Sequence, residues 1–95
     1  MSKTQVGRLI KPDGTEETIR PAKGGKFSLE ELQKAVGGYI EIVFPKPGNG
    51  RGTFYINEEG KLQSPPLPVN PKATGMIRLF PGDAIVGNML VVTRE

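Results

Sequence analysis

An α+β domain is predicted, with antiparallel hairpins forming one curved sheet or a partly closed barrel covered by two short helices in the order ββ-α-ββ-α-ββ. Three features of the 95-residue chain carry this expectation. Apolar residues alternate with a period of two in several short segments, each followed by a turn sequence. Two other segments switch to helical spacing. No connection calls for the long crossover that parallel strands require, so a doubly wound sheet is disfavoured. A chain of this length forms a single domain, residues 1–95, around one modest core.

The first hairpin runs from Val6 to Ile10, turns at Lys11-Pro12-Asp13-Gly14 and returns over Thr15 to Arg20. Proline presets φ, and Asp-Gly supplies the positive φ of a tight reversal. After a Pro21–Lys26 loop, Ser28 and Glu31 form a capping box. Leu29, Leu32, Ala35 and Val36 then recur at helical spacing until Gly37-Gly38 stops the helix. Tyr39 to Phe44 reads as a core strand in which Ile40, Ile42 and Phe44 alternate with Tyr39, Glu41 and Val43. A Pro45–Gly52 loop joins it to a second strand, Thr53 to Asn57. Asn57-Glu58-Glu59-Gly60-Lys61 predicts a turn with positive φ at Gly60, and Lys61-Leu62 predicts a short return limb.

Three prolines within Ser64 to Val69 dictate an extended strap. Asn70 as cap and Pro71 at the first helical position start a second helix, whose buried face is expected to hold Ala73, Met76, Ile77 and Phe80. Gly75 weakens this helix. Ala84-Ile85-Val86 and Met89 to Thr93, joined by Gly87-Asn88, predict a last hairpin whose apolar runs suit burial on both faces.

The chain has no His and no Cys, which removes imidazole acid/base work, thiolate catalysis and nearly every transition-metal site. Glu30 with Glu31 and Glu58 with Glu59 are adjacent pairs whose side chains point in different directions, so they do not face a common substrate. The expectation is a protein that is not an enzyme, with no catalytic residues, no metal and no cofactor. The polar start of the chain and its short apolar stretches point to the cytoplasm and away from membranes. The formal net charge of +3 is biased to the N-terminal region. There Lys3, Arg8, Lys11, Arg20, Lys23 and Lys26 outnumber Asp13, Glu16 and Glu17.

Several segments in order resemble domain-of-unknown-function family 3846: Lys11-Pro12-Asp13-Gly14; Leu29-Glu30-Glu31-Leu32-Gln33 leading to Val36-Gly37-Gly38-Tyr39-Ile40-Glu41; Asn57-Glu58-Glu59-Gly60-Lys61; Asn70-Pro71-Lys72-Ala73-Thr74; and Gly82-Asp83-Ala84-Ile85-Val86-Gly87-Asn88. The resemblance spans nearly the whole chain. It implies a small protein of the kind common on phages, plasmids and in bacteria, with no activity or site attached. The Pro45–Gly52 loop is longer and richer in Gly and Pro than that pattern, so any function of the loop would be particular to this chain.

Three groups of residues are candidate binding sites. Lys46 and Arg51, set among Gly48, Gly50 and Gly52, combine exposed amides with cations as a phosphate cradle does, although no helix follows to complete a nucleotide fingerprint. Asn57 and Lys61, with Asn70, Lys72 and Thr74, bring amides, a hydroxyl and lysines to a turn and a helix start, where an anion or nucleobase can be met. Tyr39 and Tyr55, on the opposite strand face from their apolar neighbours, offer a stacking surface. The reading is a non-catalytic binding module that engages a host protein or a small anionic ligand, with exposed sheet edges favouring a homo-oligomer. The alternative is a nucleic-acid-binding protein using the basic hairpin and the Gly/Arg loop.

Overall fold

The structure, a computed structural model, describes residues 4–95. Its elements are β1 (Gln5–Ile10), β2 (Glu16–Ile19), α1 (Leu29–Val36), β3 (Ile40–Val43), β4 (Thr53–Asn57), α2 (Pro71–Met76) and β5 (Met89–Arg94). The five strands form one open sheet in the order β2-β1-β5-β4-β3, with every neighbouring pair antiparallel. The expected α+β class is observed, without closure into a barrel.

β5 takes the central position because Met89-Leu90-Val91-Val92 is apolar at both parities, as a strand covered on both faces must be. Its even and odd residues enter two separate cores. Leu90 and Val92 join Leu9, Leu32 and Val36 on the α1 face. Met89 and Val91 join Ile10, Phe54, Ala73, Ile77 and Ile85 on the other face, which carries α2. The two helices therefore cover opposite faces of the sheet.

The predicted last hairpin is not formed. Ala84–Val86 pairs with the proline strap instead: Val86 bridges Val69, Gly87 N–H donates to Pro68 O at 2.7 Å, and Asn70 N–H donates to Ile85 O at 2.8 Å. Ile85 thereby reaches the α2-side core, and β5 pairs with β1 and β4. The Lys61-Leu62 limb is also absent, being part of a turn. Gly60 does not adopt a positive φ. It is needed for closeness, since a Cβ there would stand 2.9 Å from Val86 Cγ2.

α1 matches its sequence signals. Glu31 N–H donates to Ser28 Oγ at 3.1 Å and Ser28 N–H to Glu31 Oε1 at 2.9 Å. Gly37 at φ 84° closes the helix by donating to Gln33 O. α2 ends earlier than expected. Ile77 is extended and bridges Pro45, with Lys46 N–H on Met76 O and Arg78 N–H on Phe44 O. Phe80 consequently leaves the buried face on which the spacing put it, and is 83% exposed.

β3 is not the core strand that its alternation predicts: it lies at the edge of the sheet, and Ile42 and Phe44 are 50% and 70% exposed. Ile40 and Tyr55 still pack on the α1-side core, but the eight residues of α1 do not extend over Ile42 and Phe44.

Candidate functional site

The polar candidates on and near α2 are absorbed by the fold. Asn70 is fully buried: Oδ1 accepts from Ala73 N–H at 3.1 Å, and Nδ2 donates to Ile10 O at 3.0 Å and Gly87 O at 2.8 Å. It caps α2 and ties that helix to the ends of β1 and the 85–87 segment. Thr74 Oγ1 donates to Asn70 O and accepts from Ile85 N–H. Asn57 is buried too, with Nδ2 on Val36 O and Oδ1 accepting from Glu59 N–H. All three side chains spend their hydrogen bonds inside the protein.

The lysines are engaged or separated. Lys72 pairs with Glu16, and Lys61 with Asp83. Lys46 and Arg51 belong to the β3–β4 loop at one edge of the sheet, whereas Lys72 is held against β2 at the other. They share no groove. Tyr55 is half-buried and shares a sheet face with Ile40 and Ile42, its partner across the ladder being Ile42. Tyr39 precedes β3 and is exposed, lining a shallow cavity with Gln33, Asn57, Glu59 and Gln63. The two rings do not form the expected surface opposite the apolar residues.

Charge on the N-terminal hairpin is largely met locally. Arg8 and Lys72 both bond the Glu16 carboxylate, Lys11 stands 3.8 Å from Glu17, and Arg20 forms a two-pronged pair with Glu95 at 2.7 and 2.8 Å. The Arg8 guanidinium, and then the Lys72 ammonium, hold the Glu16 carboxyl down to about 2. Hydrogen bonding by Lys61 lowers the Asp83 carboxyl, helped by Ala84 N–H. Among the described residues, no three potential ligands gather to hold a metal ion, and no helix is long and apolar enough to cross a membrane.

What the structure adds is an open strand edge beside an apolar cleft. Glu58 N–H donates to Tyr39 O, which fixes the β3–β4 register: Glu41 and Val43 turn their backbone groups toward β4, and Ile40 and Ile42 turn theirs outward. The outward N–H and C=O groups of Ile40 and Ile42 have no partner among the described residues. Farther along, Arg78 N–H occupies Phe44 O, so the open stretch is short and closed at one end.

Between this edge and the Arg78–Asp83 segment lies a cleft of about 490 Å³, lined by Ile42, Val43, Phe44, Leu79 and Phe80 with Glu41, Arg78 and Asp83 at its rim. A narrower cavity of about 150 Å³ shares Glu41, Val43, Leu79 and Asp83 and adds Glu58 and Lys61. The sequence signal for this site was the apolar run Ile40-Glu41-Ile42-Val43-Phe44 together with Phe80 just before Pro81-Gly82. Both have the pattern of core segments.

A family model described as Domain of unknown function (DUF3846) matches residues 7–95. No curated protein and no solved structure matches the chain.

Proposed function

We propose that this chain, which belongs to the family of unknown function DUF3846, works as a non-catalytic protein-interaction module of the cytoplasm, with the β3 edge and its cleft as the binding surface. One observation carries the reading: Ile42, Phe44 and Phe80 are exposed together beside a strand whose outward backbone groups are unpaired. Unpaired edges next to apolar side chains recruit other chains, because both the ladder bonds and the apolar area are then satisfied.

A protein partner is favoured over a small anion because Lys61 and Lys72 are already paired with carboxylates and Asn57, Asn70 and Thr74 are bonded internally. It is favoured over nucleic acid because Arg8, Lys11 and Arg20 spend their charge on Glu16, Glu17 and Glu95.

Site-specific photocrosslinking in cells tests the proposal. Benzoylphenylalanine at position 44 is expected to give discrete protein adducts that vanish when Ile42→Asp is added, while the same group at position 18 on β2 gives none. Equal labelling at both positions, or none at position 44, would contradict it.

A further inference from the structure

Building on the interaction reading above, we infer that the occupant of the β3 edge is a short extended segment of another protein that adds as a sixth strand, with apolar side chains facing Ile40 and Ile42 and a basic side chain opposite Glu41. In the observed register two residues, Ile40 and Ile42, present N–H and C=O outward, which is what an added strand bonds. The slot is brief because Arg78 closes it at Phe44.

Side-chain alternation sets the chemistry. Ile40 and Ile42 lie on the α1 face, so the residues opposite them meet apolar surface continuous with Phe44. Glu41 points to the other face, where Glu58 and Asp83 line the adjoining cavity. Asp83 is paired with Lys61, while Glu41 and Glu58 have no ion-pair partner among the described residues. A lysine or arginine on the incoming strand would answer that acidic excess.

The same geometry argues against a second copy as the occupant. Antiparallel self-pairing that uses only Ile40 and Ile42 sets Glu41 directly against the Glu41 of the other copy, a like-charge pair. Setting Ile42 against itself leaves only that pair fully bonded, because the flanking Ile40–Phe44 pairs call on Phe44 O, already taken by Arg78 N–H.

The test uses fluorescein-labelled peptides Ser-Val-Lys-Val-Ser and Ser-Val-Glu-Val-Ser, with anisotropy as the readout at low salt. The lysine peptide is expected to bind at least about fivefold tighter, and Glu41→Lys is expected to reverse the preference. N-methylation of the backbone amides that bond β3 should abolish binding, a result independent of whether any variant folds. Equal affinity of the two peptides, tolerance of N-methylation, no binding by either peptide, or dimerisation through β3 seen by sedimentation would each overturn the inference. If peptide binding fails while crosslinking at position 44 persists, strand addition is wrong and the interaction reading survives. Loss of both removes both.

Discussion

The two edges of the sheet are built in opposite ways. At β2, the outward backbone belongs to Glu16 and Thr18, flanked by charges that are tied down: Glu16 to Arg8 and Lys72, and Glu17 to Lys11. At β3, the outward backbone belongs to Ile40 and Ile42, flanked by Phe44 and Phe80. Charged side chains on an edge make docking costly, because any incoming strand must displace or desolvate them. One end of the sheet is therefore closed to strand addition by electrostatics. The other is closed only where Arg78 caps Phe44.

The contrast exists only while one frame carries both edges, so the largest effect comes from breaking that frame. Leu32 anchors α1 on its core, and Leu32→Asp should leave no cooperative unfolding transition, because a buried carboxylate without a partner costs about as much as a small domain's whole stability. Asn70→Ala should be milder. Losing the α2 cap and leaving Ile10 O and Gly87 O without their donor should cost about 2–4 kcal/mol by denaturant titration.

Next in size is the β2 edge itself. The Glu16 carboxyl is depressed in the folded protein, so its contribution is complete above the ordinary carboxylate range and is lost as pH falls toward 2. With Arg8 and Lys72 substantially exposed, that contribution is about 1 kcal/mol. Glu16→Gln should lower thermal stability by that amount at neutral pH and converge on the parent as pH falls below about 2.

The smallest stability effect should come from the β3 edge. Phe44→Lys is expected to change unfolding free energy by no more than about 0.5 kcal/mol, since the ring is exposed. The same substitution should abolish crosslinked adducts captured from a probe at position 80. A large loss of stability would mean that Phe44 is structural and that the two edges are built more alike.

Much of the fold was legible because its signals are local. The capping box of Ser28 and Glu31, Gly37 at the helix end and the Pro-Asp-Gly reversal each act within a few residues. The rank of a strand in the sheet is not local. The alternation of Ile40, Ile42 and Phe44 is the same for a central strand and for an edge awaiting a partner, and only the insertion of β5 between β1 and β4 decides it.

The candidate site suffered for the same reason. Asn57 and Asn70 were legible as turn and cap residues, but their partners Val36, Ile10 and Gly87 lie 21, 60 and 17 residues away. The Arg8–Glu16 pair could have been found: once the turn fixes the hairpin register, Arg8 opposes Thr18 and Glu16 sits diagonally on the same face.

The most direct measurement is residue-resolved amide hydrogen exchange on the isolated protein. The Ile40 and Ile42 amides are expected to exchange fast while Glu41 and Val43, bonded to β4, are protected. Protection of Ile42 equal to that of Val43 would mean that the β3 edge is already covered and would contradict the proposal that it is an open binding surface.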